Sequence, residues 1–132
     1  MIKKADDIIL KQRFGQGREF AFKRACLNYW RDTYPGRSFY CIESPMTVPG
    51  FPDVVELRTS GTFRLIEFKC SDLKGTIHFE KAQLLFYRKN RDMRITILAY
   101  NVRDKVAVYI DPAIIVKEKK LSYRIPVLAE AA

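Results

Sequence analysis

The stretch from Gly50 to Lys69, GFPDVVELRTSGTFRLIEFK, holds the residues best placed to do chemistry. Pro52-Asp53 stands ahead of one apolar run, and Glu67-Phe68-Lys69 closes the next. Side chains alternate across a strand, so Glu67 and Lys69 share one face and Phe68 takes the other. If the strand that Asp53 begins pairs with the strand that ends at Lys69, two carboxylates and an ammonium converge on one spot. Carboxylate oxygens suit hard divalent cations such as Mg²⁺ or Mn²⁺. A lysine beside such an ion orients a water or stabilises charge developing on a phosphorane. The set points to metal-dependent hydrolysis of a phosphodiester. Taken singly, each residue has a plainer reading. Asp after Pro is common in turns, and a Glu-Lys pair at a solvated strand end contributes little. Leu65, Ile66 and Phe68, however, mark a largely buried strand, where a charge needs a partner or an ion.

The elements that must position these residues follow from hydrophobic periodicity and turn chemistry. Residues 1–17 are basic and punctuated by Gly15 and Gly17, which predicts an arm with some helix near Ile8–Lys11. A helix follows from about Arg18 to Asp32. Its apolar residues cover most of the circumference, which predicts a largely buried helix, and Tyr34-Pro35-Gly36 ends it. Strands are expected at Ser38–Ile42, Asp53–Leu57 and Phe63–Lys69, with the turn residues Thr59-Ser60-Gly61-Thr62 between the last two. A second helix is expected over Phe79–Asn90, with Phe79, Ala82 and Phe86 as its apolar stripe and Lys81, Arg88, Lys89 and Arg91 as its basic side. Arg94–Tyr100 and Lys105–Ile110 read as a final strand pair. The core spans 18–110. In the extension over 111–132, Asp111-Pro112 starts a short helix and the terminal LAEAA frays. This order of helix, three strands, helix, strand and strand predicts one α/β domain with helices flanking a central mixed sheet.

Composition narrows the function classes. A chain of 132 residues, 48% of them hydrophobic, can build the core of a single domain. Twenty-four Lys+Arg against 15 Asp+Glu leave a net charge of +9, which favours polyanionic partners, nucleic acid above all. A basic surface with no such role is the plainer alternative. Cys26, Cys41 and Cys70 are odd in number and lack a CxxC pair, which argues against a disulfide framework and a zinc site and fits a reducing cytoplasm. No apolar run approaches the roughly 20 residues of a membrane span, and the start of the chain lacks a signal-peptide core.

With Pro52-Asp53 and Glu67-Phe68-Lys69 expected on adjacent central strands, and the order αβββαβ, the chain resembles the PD-(D/E)XK nuclease superfamily. That resemblance implies a restriction-endonuclease-like core. Gly50-Phe51-Pro52-Asp53, then an apolar strand ending in Glu-x-Lys, then Gln83 opening the next helix, is similar to the VRR-NUC branch. Small stand-alone members of that branch occur in phages. The layout is also similar to archaeal Holliday-junction resolvases, which carry a basic Gly-containing N-terminus and then a helix with an active-site Glu. Here GQGRE puts Glu19 in that position. The resemblance covers roughly Gly17 to Tyr100. The tract HFEKAQ over His78–Gln83 follows the usual pattern loosely, and its Glu80 adds a carboxylate without an assigned place.

The resemblance implies Asp53 and Glu67 as metal ligands, with either Glu19 or Glu43 as the third carboxylate. Lys69 would position the attacking water or contact the scissile phosphate. Gln83 would contact Lys69, water or phosphate. On the plainer readings, Glu19 is an early-turn residue favoured by the helix dipole, Gln83 is a surface residue, and the lone His78 is incidental. Glu56 should point away from the Asp53 face. Lys3, Lys4, Arg13, Arg18, Lys23, Arg24, Lys74, Lys81, Arg88, Lys89, Arg91 and Arg94 form a set of candidate phosphate contacts. The expected function is a Mg²⁺- or Mn²⁺-dependent endodeoxyribonuclease selective for branched DNA such as a four-way junction. Two symmetric cuts there call for a homodimer. The alternatives are a non-catalytic nucleic-acid-binding or assembly module on a nuclease fold, and a nicking or restriction-type nuclease.

Overall fold

A computed structural model describes residues 2–42 and 48–128. The elements run β1 (Ile2–Lys4), α1 (Glu19–Thr33), β2 (Arg37–Cys41), β3 (Val54–Arg58), β4 (Phe63–Cys70), β5 (Thr76–His78), α2 (Lys81–Lys89), β6 (Ile95–Asn101), β7 (Val106–Ile110), α3 (Pro112–Glu118) and β8 (Ser122–Arg124). Six strands form one mixed sheet in the order β1-β7-β6-β4-β3-β2, and β5 pairs with β8 apart from it. β4 and β6 are parallel, which requires a crossover, and α2 lies on it. The other neighbours in the sheet are antiparallel.

Alternation along the strands divides the core into two layers. Ile66 and Phe68 of β4 and Leu98 and Tyr100 of β6 pack with Phe22, Cys26, Leu27 and Trp30 of α1. Leu65, Ile97 and Ala99 turn the other way, against Leu84, Phe86 and Tyr87 of α2 and Ile115 of α3. The chain is therefore α/β, with helices on both faces of a mixed sheet. The face that takes α2 is the one onto which Glu67 and Lys69 project.

Several expectations need correction. No helix forms over Ile8–Lys11. Instead Ile2–Lys4 pairs with β7 as an edge strand, and Ile8 and Phe14 are buried in the α1 layer. Two apolar anchors and an open sheet edge hold this segment, so residues 2–17 pack onto the core and do not form a separate arm. α1 is not buried all round, since Phe20 is 66% exposed. One sheet face covers one stripe of the helix, and Phe20 lies off that stripe. Phe79 is buried just ahead of α2 and outside it. Glu43 and residues 129–132 of the terminal LAEAA lie outside the described residues. Among the described residues, no helix is long and apolar enough to cross a membrane.

Candidate functional site

The β3–β4 register pairs Val54 with Ile66, and one further step sets Asp53 opposite Glu67. The Asp53 side chain closes that step, its Oδ2 accepting the Phe68 backbone N–H at 3.2 Å. The loop ahead of Asp53 is clamped to α2. Gly50 has φ +82°, and a Cβ there would overlap the Ala82 carbonyl, so only glycine permits this approach. Phe51 packs edge-on against Phe86 with ring centroids 5.3 Å apart, and Pro52 is buried. Asp53 is thereby fixed between β4 and the start of α2.

Gln83 ties the remaining groups together. Its Nε2 donates to Glu67 Oε1 at 2.7 Å. Its Oε1 accepts from Lys69 Nζ at 3.1 Å and from the Glu80 backbone N–H at 2.8 Å. Glu80 is therefore the residue that starts α2, at the N-cap, which gives a place to the carboxylate the sequence left unassigned. The Lys69 ammonium also lies 4.9 Å from the centre of the Phe79 ring, a cation–π contact that limits its motion. Asp53, Glu67, Lys69 and Gln83 thus form one connected group.

Its electrostatics are unbalanced. Glu67 is 3% exposed. Its carboxyl is pushed up to about 9, first by burial and then by the hydrogen bond and charge of Asp53, with Lys69 and Gln83 opposing only in part. Glu19 is exposed at the start of α1, yet its carboxyl is also raised, by desolvation first, with the Lys69 ammonium opposing and Asp53 adding to the rise. Both Lys69 and Asp53 act electrostatically on the Glu19 carboxyl. No hydrogen bond joins Glu19 to the other four side chains among the described residues. Carboxylates pressed together with too little positive charge share a proton when alone, and a divalent cation would replace that proton. The donors are carboxylate oxygens, as Mg²⁺ or Mn²⁺ prefers. Asp53 and Lys69 are only half-buried, so the group is reachable from solvent. Among the described residues, no three or more His, Cys, Asp or Glu side chains stand together in metal-binding geometry. Asp53 and Glu67 would be the core of such a site, with water or substrate oxygens filling the remaining positions, as Mg²⁺ commonly accepts.

The expected phosphate contacts are not gathered in one place. Arg18 and Lys23 flank Glu19, while Lys81, Arg88 and Lys89 lie on α2, the helix of Gln83. Arg13 and Lys74 are exposed in loops. Lys3 and Lys4 lie on β1, three strand positions from β4, or roughly 14 Å. His78 is exposed, with Nε2 3.7 Å from Asp72. Glu56 faces away from Asp53, as alternation requires, and is buried among arginines. Sequence reasoning missed Tyr87. It sits one turn after Gln83, and its buried hydroxyl has no hydrogen-bond partner. Burial raises its ionisation first, and the charges of Glu67 and Asp53 raise it further. The i,i+4 spacing from Gln83 was the available signal.

Comparison with protein-family models, with curated proteins and with solved structures found no match to this chain.

Proposed function

We propose that this chain is a divalent-metal-dependent endodeoxyribonuclease. The observation that carries the reading is the buried Glu67 carboxylate, pressed against Asp53 and tied through Gln83 to Lys69. A fold gains no stability from two carboxylates forced together at a solvent-accessible strand end. Asp53 and Glu67 would hold Mg²⁺ or Mn²⁺, with Glu19 assisting. The bound ion would polarise the phosphate and lower the pKa of water. Lys69, held by Gln83 and the Phe79 ring, offers its ammonium to the scissile phosphate or to the attacking water, where negative charge develops. Gln83 fixes the orientation of Glu67 and Lys69 at once, so both groups are set before substrate arrives. The net charge of +9 supports a polyanionic substrate. Selectivity for branched DNA such as a four-way junction, and a homodimer making paired cuts, rest on the sequence resemblance.

The test is cleavage of matched four-way junction, flap, duplex and single-stranded DNA, with Mg²⁺, with Mn²⁺ and with chelator. Metal-dependent nicks that vanish in Glu67→Ala are the expected result, and paired symmetric nicks in the junction would establish the branched substrate. Tight DNA binding without cleavage under either metal would overturn the enzyme reading in favour of a binding module.

A further inference from the structure

Toward the other end of β4 from Lys69, the structure opens into a cleft of about 590 Å³, a size that suits a ligand of several functional groups. Lys3, Arg58, Arg64, Arg91 and Arg94 line it. They come from β1, β3, β4 and the turn between α2 and β6. Five cations from four separate parts of the chain thus meet around one concavity.

Not all of that charge is neutralised from within. Arg64 donates from Nε to Glu56 Oε1 at 3.0 Å, and Arg58 Nε donates to the same oxygen at 3.1 Å. Of the acids lining the cleft, Asp7 accepts from the Tyr109 hydroxyl at 2.6 Å and from Arg37 at 3.4 Å. Asp111 accepts from the Ala113 N–H at the start of α3, at 2.9 Å. Asp6 is the remaining acid. Lys3, Arg91 and Arg94 are exposed and have no ion-pair partner among the described residues. Three unpaired cations against one free carboxylate, over a floor of fixed arginines, leave a positive potential inside low-dielectric walls. Guanidinium groups match the geometry of phosphate oxygens.

We propose that this cleft binds the phosphodiester backbone of a nucleic acid, through Arg91, Arg94 and Lys3, independently of the carboxylate group. None of Asp53, Glu67, Lys69 or Gln83 takes part, so the inference does not depend on cleavage. It gives the chain a second, metal-independent grip on the strand.

Fluorescence anisotropy of labelled duplex DNA in chelator, over a series of salt concentrations, tests this. Wild type should bind with no divalent metal present. The double variant Arg91→Ala/Arg94→Ala should bind roughly tenfold more weakly or worse, with a log–log salt slope shallower by about two, one unit per lost phosphate contact. Equal affinity and slope in the double variant would overturn the proposal, as would absence of wild-type binding. Inorganic phosphate that binds wild type and not the double variant, while DNA binds both alike, would also overturn it, marking a free-anion site. Should the double variant fail to fold, arginine-specific dicarbonyl labelling of wild type decides: DNA must shield Arg91 and Arg94, and unchanged labelling refutes the proposal. Cleavage failing in every metal while Arg91→Ala/Arg94→Ala still weakens binding would remove the enzyme reading and leave this one intact.

Discussion

Glu56 and Glu67 lie on adjacent strands of the same sheet and are both almost wholly buried, at 0% and 3% exposure, but their surroundings are opposite. Glu56 sits directly across from Arg64 in the β3–β4 ladder and takes hydrogen bonds from Arg64 and Arg58. Arg37 lies 3.7 Å away. Glu67 faces another carboxylate, with one ammonium and one amide to moderate it. The first arrangement is complete, because arginines of the chain itself meet the Glu56 charge. The second is not complete, and a cation from outside would finish it. Burial of an acid therefore does not mark a functional site. What sets Glu67 apart is that its counter-charge is incomplete.

Mutation should separate the two regions sharply. Glu56→Ala leaves Arg64 and Arg58 facing a buried gap, and should cost about 3–5 kcal/mol of stability in urea denaturation. A loss below about 1 kcal/mol would show that the arginines reach water and that the contrast is overdrawn. Glu67→Gln should behave in the opposite sense. It should abolish metal-dependent cleavage while leaving the metal-free protein as stable as wild type or more so. The sign follows from linkage. The raised carboxyl means that the folded state binds more protons than the unfolded one between the ordinary carboxylate range and the raised value. Wild-type stability in chelator should therefore fall as pH rises through that window, and Glu67→Gln should remove that part of the fall. Thermal melts from acid to mildly alkaline pH check this, and an identical pH dependence in the variant would contradict it.

Smaller effects sharpen the same contrast. Gly50→Ala must leave its positive φ or push the Ala82 carbonyl away, so it should cost about 1–3 kcal/mol and loosen Asp53 against α2. Melting and cleavage should fall together. Gln83→Ala should lower activity about 10–100-fold, in the manner of groups that orient metal ligands, with only a modest change in melting. Tyr87→Phe removes a buried hydroxyl that has no partner. Its effect on stability should lie within about 1 kcal/mol of zero or favour the variant, and a larger loss would mean that the hydroxyl has a partner.

What the sequence made legible follows from physical range. Alternation over Phe63–Lys69 is a local signal, and it placed Glu67 and Lys69 on one face without knowledge of the partner strand. The same rule turned Glu56 away from Asp53. The meeting of Asp53 with Glu67 needed only the pairing of two neighbouring strands. The Glu56–Arg64 pair was invisible because its partner is set by hairpin register, which no single strand reveals. Its further contacts, Arg64 to Asp7 and Glu56 to Arg37, join residues far apart in sequence. β1, β5 and β8 have three residues each, too few for a period to show. The N-terminal segment read as an arm because its apolar residues, the short run Ile8-Ile9-Leu10 and the lone Phe14, are few among charges, and only the tertiary fold gives Ile8 and Phe14 a pocket. Tyr87 was lost among the apolar residues of α2, because its i,i+4 spacing from Gln83 does not reveal that its hydroxyl is buried within reach of the Glu67 and Asp53 charges.

The proposed function makes the Asp53–Glu67 pair an incomplete site that a divalent cation completes. Calorimetric titration of Mn²⁺ into wild type and Glu67→Gln, at neutral pH in two buffers of different ionisation enthalpy, tests it most directly. Saturable binding to wild type with release of protons, the raised carboxyl giving up its proton to the ion, and loss of that binding in the variant are the predicted results. Binding of equal strength in Glu67→Gln, or no binding to wild type with or without DNA, would contradict the account.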